Sequence, residues 1–205
     1  VYDCVMGFAG RKPWPASNYQ ESYGVIVDGA QHWLVSGGNV GSGMAISFDP
    51  TKNLNNYGSG GMILTDNVDV YNAAINFRDN GKMDGHHDIG TNSKMSEADC
   101  AAMMVKLKYF DDWQKRRTEI AEYYMQTFGT YVDLLPITEG TTHAWSKFAF
   151  RVRARSSLRD YLLSRGIPTK IHYERPLYDE PIGRYLLEPI SGTHWQAHEF
   201  TREIV

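Results

Sequence analysis

The chain has 205 residues, 42% of them hydrophobic and 13% aromatic, with 24 acidic and 21 basic side chains for a formal net charge of -3. This composition can bury a core and excludes a disordered chain; the charge balance excludes a strongly basic nucleic-acid binder. No apolar run approaches the ~20 residues that cross a bilayer as a helix.

The opening "VYDCVMGFAG" has neither the basic region nor the cleavage site of a signal peptide. Cys4 and Cys100 are too few for a disulfide framework and read as thiols in a reducing cytoplasm. The chain starts inside a strand-like pattern and stops at "HEFTREIV" inside a helical one, so it reads as a piece of a longer protein.

"GVIVDGA" is a short apolar run ending at Asp28 and predicts a strand buried on both faces, as in parallel sheets. "GMAISF" and "GMILTD" predict two more of the same kind. Asp28 ends the first strand, with Gln31 three residues later; Ser47 ends the second, with Lys52 five residues later. In open α/β sheets ligands collect at the carboxyl ends of strands, where these residues fall. Pro50 and the glycines at 58, 60 and 61 make the stretch around Lys52 a controlled bend, which a solvated lysine does not need.

Asp66, with Asp69 in capping-box position, predicts a helix through Phe77, followed by a Gly/Asp/Asn-rich loop over 78–92. Ser96 and Asp99 open a long helix. Met103, Leu107, Phe110, Trp113, Ile120, Tyr124 and Phe128 form its apolar stripe. Unbroken to Phe128, it has about 32 residues and connects two domains, with room for a bend in the middle.

"KFAFRVRAR" alternates, with Phe148, Phe150 and Val152 on one side and Ala149, Arg151 and Arg153 on the other, and predicts a half-exposed antiparallel strand. "SSLRDYLLSRG" predicts a serine-capped helix stopped by Gly166, and "IPTKIHYERPL" a strand and then a loop. The expected organisation is α/β: a mostly parallel large domain over 1–124, then a small α+β domain over 125–205.

The segments "VIVDGAQ", "SFDPTKNLNNYGSGGMILTDN" and "IGTNSKMSEADCAAMMVKLKYFDDWQKRR" resemble the DegT/StrS family of nucleotide-sugar aminotransferases. "HAWSKFAFRV" and "GIPTKIHYERPLY" are similar to that family's small domain. The resemblance implies part of the type I aminotransferase fold with pyridoxal 5′-phosphate as cofactor. By it, Lys52 matches the lysine that forms the internal aldimine and Asp28 the carboxylate paired with the pyridine nitrogen. Gln31 matches the residue near the phenolic oxygen, and Ser47 a hydroxyl on the phosphate. Asn92 matches an asparagine that reaches the phosphate of the neighbouring subunit's cofactor, which implies a homodimer. His172 and Tyr173 match a small-domain pair that faces substrate, with packing as the alternative.

The implied reaction moves an amino group from an amino acid, with glutamate expected, to a keto sugar on a nucleotide diphosphate. The chain departs from the family pattern at Ser59, where an acid is common, and at Lys94, where arginine is commoner. The alternatives are a non-catalytic truncated, regulatory or interaction relative, and a sugar dehydratase using the same cofactor. The dehydratase branch has histidine in place of the lysine, and Lys52 favours transfer.

Other residues carry blander expectations. His194 and His198 are four apart on a predicted helix without an evident third metal ligand, and His86 and His87 lie in a polar loop. Trp14, Trp33, Trp113, Trp145 and Trp195 read as core or interface, and the "RVRAR" arginines as a solvated strand face. No metal, nucleic acid or membrane is expected as a partner.

Overall fold

The computed structural model describes residues 26–31, 42–83, 85, 87–137, 142–186 and 195–205. Cys4, Trp14, Trp33, His86 and His194 lie outside them. The described chain folds into two compact units. The first runs to Ala121 and takes in Ile137–Lys147; the second comprises Glu122–Pro136 and Phe148–Val205.

The first unit is built on a three-stranded sheet in the order β1 (Ile26–Asp28), β2 (Gly43–Ser47), β3 (Gly61–Leu64). β1 and β2 are parallel, with Asp28 opposite Ala45. β3 runs antiparallel to β2, and all four of its residues are exposed. The third run is therefore neither parallel nor buried, and the connection explains why. A parallel partner needs a crossover of about a dozen residues or more, usually helical. Here 48–60 folds back on itself instead: Phe48 N–H donates to Gly60 O and Asn56 N–H to Phe48 O, both at 2.8 Å.

The core of this unit joins Val27, Met44, Ile46 and Phe48 of the sheet region to Leu54, Met103 and Phe110. Val27, at 1% exposure, is the one buried residue of β1. Gly29 just beyond it has no room for a side chain, since a Cβ would lie 2.6 Å from Met44 Cγ and 3.0 Å from Ala45 O.

Helix α1 (Val68–Arg78) is capped by Asn67, not by Asp66: Asn67 Oδ1 accepts from Asp69 N–H at 2.8 Å and Val70 N–H at 3.3 Å. Both residue types cap equally well, and the chain enters the helix one residue later than expected. The 79–92 loop is closed by Thr91 N–H to Phe77 O at 2.7 Å and Gly81 N–H to Asn76 O at 2.8 Å. Gly81 has φ +65°, and a Cβ there would fall 2.0 Å from Asp88 O, so only glycine fits.

The long helix is two helices, α2 (Glu97–Leu107) and α3 (Phe110–Phe128). Ser96 caps α2 as expected, accepting from Asp99 N–H at 3.1 Å. At Lys108 and Tyr109 the backbone switches to i→i−3 bonds, to Val105 O at 3.2 Å and Lys106 O at 3.0 Å. That tighter turn ends the α-helical ladder. Met103 and Phe110 of the stripe are buried, whereas Leu107 and Trp113 are exposed.

In the second unit β4 (Asp133–Leu134) pairs antiparallel with β5 (Phe150–Arg151). The expected strand is only two residues long, but its aromatic side packs as predicted. Phe148 and Phe150 meet Tyr124 and Phe128 at ring separations of 5.3 to 5.9 Å. The opposite side is a solvated face only in part: Arg153 is exposed, as expected, but its neighbours on that side are not. Arg151 donates to Glu203 Oε2 at 2.5 Å, and Ala149 is buried.

Helix α4 (Arg155–Ser164) starts at Ala154 without a side-chain cap, so the expected serine cap is absent. Gly166 ends it at φ +75°, with Ile167 N–H on Leu162 O and Gly166 N–H on Leu163 O, both 2.9 Å, a Schellman pair. Residues 167–176 form no strand; a 3₁₀ turn (Leu177–Asp179) and α5 (Pro181–Leu186) follow. α6 (Trp195–Glu203) leads into Ile204, fully buried, and Val205, which exchanges two backbone bonds with Phe150.

Candidate active site

Asp28 is the last residue of β1, and Ser47 the last of β2. Because the strands are parallel and Asp28 faces Ala45, the two side chains sit at the same sheet end, offset by two residues, or about 7 Å along the strand. Asp28 is exposed, and its Oδ1 accepts from Ala30 N–H at 3.0 Å. Ser47 Oγ accepts from Asp49 N–H at 3.3 Å.

The bend that carries Lys52 is a β-turn, Asp49-Pro50-Thr51-Lys52, closed by Lys52 N–H to Asp49 O at 2.9 Å. Asp49 Oδ1 braces it, accepting from Thr51 N–H at 2.9 Å and Thr51 Oγ1 at 2.6 Å. These Thr51 bonds, with the positive charges of Lys52 and Lys147 adding to them, hold the Asp49 carboxyl below the usual carboxylate range against a desolvation effect.

A depressed carboxyl stabilises the fold above its unfolded value, about 3.9, and that stabilisation is lost as pH falls through the lower folded value. The stability gap between the protein and Asp49→Asn should therefore be flat near neutrality and shrink only in acid, followed as denaturation midpoint against pH. A gap that is constant into strong acid would show that the carboxylate is not held this way.

Beyond the turn, asparagines fasten the loop. Asn53 Nδ2 donates to Gln114 Oε1 at 3.0 Å and Ala144 O at 2.6 Å. Asn55 Nδ2 returns to Pro50 O at 3.1 Å, and Lys106 Nζ donates to Asn55 O at 2.7 Å. Asn53, Leu54 and Asn56 are all buried. Lys52 itself is half-buried. Among the described residues its ammonium and the second Asp28 oxygen have no hydrogen-bond partner.

Gln31 is tied into the same unit from far along the chain. Its Oε1 accepts from Lys147 Nζ at 3.0 Å and Ser146 Oγ at 3.2 Å. Lys147 thus contacts Gln31, and its charge also helps to lower the Asp49 carboxyl. Sequence reasoning missed Lys147, Ser146 and Asp49. Only Asp49 left a local signal, as an aspartate before proline at a turn.

Asn92 lies elsewhere, in an isolated bridge to Asp79. No hydrogen bond among the described residues joins it to Asp28, Gln31, Ser47 or Lys52. Its neighbour Lys94 pairs with Asp79 at 2.5 Å and, by that bond first and its charge second, lowers the Asp79 carboxyl. His172 and Tyr173 belong to the second unit, their rings 5.8 Å apart and edge-on, with Tyr173 66% exposed. His198 pairs with Asp179 at 3.4 Å, and no group of three or more metal-binding side chains occurs among the described residues.

A sequence model of the DegT/DnrJ/EryC1/StrS aminotransferase family matches residues 23–205. The chain belongs to that family. The dTDP-3-amino-3,6-dideoxy-alpha-D-galactopyranose transaminase of Aneurinibacillus thermoaerophilus is 32% identical over 183 residues, covering 88% of this chain and 47% of the relative. Among solved structures, a DegT DnrJ EryC1 StrS aminotransferase from Brucella abortus matches with a TM-score of 0.86 at 25% identity, over 98% of this chain and 56% of that one. DesV of S. venezuelae, solved with a ketimine intermediate, matches with a TM-score of 0.80 at 28% identity, over 87% of this chain and 50% of that one.

The family assignment fixes the fold class as a partial α/β fold of the type I aminotransferase kind. The chain spans about half the length of the curated relatives it matches. No helix among the described residues is long and apolar enough to cross a membrane.

Proposed function

We propose that this chain carries the lysine-bearing part of a pyridoxal-phosphate-dependent aminotransferase that passes an amino group from glutamate to a nucleotide-linked keto sugar. The observation that carries the reading is Lys52: a half-buried amine, uncommitted among the described residues, on a braced turn at the strand end that also holds Asp28. The donor set fits the cofactor. It offers an amine for an aldehyde, a carboxylate with one oxygen uncommitted, and the Ser47 hydroxyl beside a strand end.

When bound, pyridoxal phosphate supplies an electron sink for the carbanion left as the amino-acid substrate loses its proton. The chain's own residues do the rest. Asp28 favours a proton on the ring nitrogen placed beside it. Ser47 holds a phosphate oxygen. Lys52 takes the substrate proton and returns it, a role that needs its amine uncharged for part of the cycle.

In the same reading Gln31 donates to the ring oxygen, and Asn92 serves the cofactor of a second copy in a homodimer. His172 and Tyr173 serve the substrate from a small domain, and the cytoplasm is the setting. Relatives named as transaminases of dTDP-linked amino sugars support the substrate class.

The test is isotope exchange. Protein loaded with pyridoxal phosphate should move label between glutamate and 2-oxoglutarate without any sugar present. No exchange from loaded protein would overturn glutamate as donor.

A further inference from the structure

The geometry assigns Lys147 a positioning role: through Gln31 Oε1 it locks the Gln31 amide so that the NH₂ group is the donor presented to the ligand of the Lys52 site. A glutamine amide has two faces of nearly equal shape, one donating and one accepting, and nothing in its own covalent structure chooses between them. Ser146 cannot choose either, because a hydroxyl both donates and accepts. Lys147 can. An ammonium has three donors and no acceptor, so the Gln31 atom 3.0 Å from Lys147 Nζ must be the carbonyl oxygen.

With Ser146 Oγ at 3.2 Å on the same oxygen, both acceptor positions of that carbonyl are in use. The NH₂ group is then forced to the other side, where no described residue accepts from it. The charge of Lys147 also helps to lower the Asp49 carboxyl, on the turn that carries Lys52. One cation thus fixes the polarity of Gln31 and acts electrostatically on the turn of the proposed nucleophile.

The ligand group this arrangement selects is an oxygen that only accepts, anionic in the strongest case, as a phenolate is. A ligand hydroxyl needing an acceptor would find none at Gln31. The assignment of that oxygen to the cofactor rests on the function proposed above; the locking of Gln31 by Lys147 does not.

The experiment separates the two. In the ¹⁵N-labelled chain without cofactor, the Gln31 side-chain NH₂ resonances are identified by their loss in Gln31→Glu. They should move in Lys147→Met and return in Lys147→Arg, which again offers only donors. Unmoved resonances in a folded Lys147→Met protein, or movement that Lys147→Arg does not reverse, would overturn the proposal.

If Lys147→Met does not fold, Gln31→Glu decides by titration with pyridoxal phosphate. It keeps an acceptor for Lys147 and Ser146, removes the donor and puts a negative charge in its place, so it should fold normally and bind pyridoxal phosphate at least about tenfold more weakly. Unchanged binding would overturn the proposal. A wild-type chain that binds no pyridoxal phosphate would sink the function instead, and the cofactor-free spectra of Lys147→Gln, uncharged and milder than Lys147→Met, then decide on Lys147: unmoved Gln31 resonances there overturn the proposal.

Discussion

Lys52→Ala should abolish the visible absorbance band that the protein gains with pyridoxal phosphate and should cut glutamate exchange by about 10²- to 10⁴-fold or more. Lys52→Arg should be as inactive, since a guanidinium is never deprotonated in proteins and cannot attack an aldehyde. Neither change should cost stability beyond about 0.5 kcal/mol, because the Lys52 side chain has no hydrogen-bond partner among the described residues. That pairing is what makes the test sharp. A structural lysine loses stability when removed, whereas a lysine held for chemistry loses only function. A band that survives in Lys52→Ala, read by absorbance before and after borohydride, would place the attachment on another amine, with Lys147 the first to examine.

Leu54→Ala should be the costliest single change near the site, at about 2–5 kcal/mol in a denaturant titration. Leu54 is 3% exposed and belongs to the same core as Val27, Met44, Ile46 and Phe48. It lies two residues past Lys52, on the loop that Asn53 and Asn55 fasten. Truncation opens a cavity beneath that loop and should weaken pyridoxal phosphate binding along with stability. Leu64→Ala, on exposed β3, is the control and should cost about 1 kcal/mol or less. Equal losses at both positions would show that the Lys52 loop is not anchored through its buried leucine.

What could be read from the sequence was local. The strand ends at Asp28 and Ser47, the bend at Lys52, the Ser96 cap and the Gly166 stop each follow from a few neighbouring residues. The direction of β3 did not, because a run of apolar residues is the same pattern in either direction. Asp66 and Asn67 are adjacent and chemically equivalent as caps, so spacing alone could not separate them. The stripe from Met103 to Phe128 has helical periodicity on both sides of Lys108, which hid the tighter turn there.

The Gln31–Lys147 contact is the deeper omission. Its partners are 116 positions apart, and no periodicity connects residues at that distance. Arg151 looked solvated for the same reason, since Glu203 lies 52 positions away.

The return of Ile137–Lys147 to the first unit means that the chain passes between the units three times, near 121, 136 and 147. Genes recombine most easily where one crossover separates two self-sufficient parts. No single crossover does so here. A hybrid gene joined after codon 121 would take its Ala144, whose carbonyl receives Asn53, and its Lys147 position from the other parent. Shuffling between relatives of this chain should therefore cost stability at either junction, since one after codon 121 splits the first unit and one after codon 147 parts Tyr124 and Phe128 from Phe148 and Phe150.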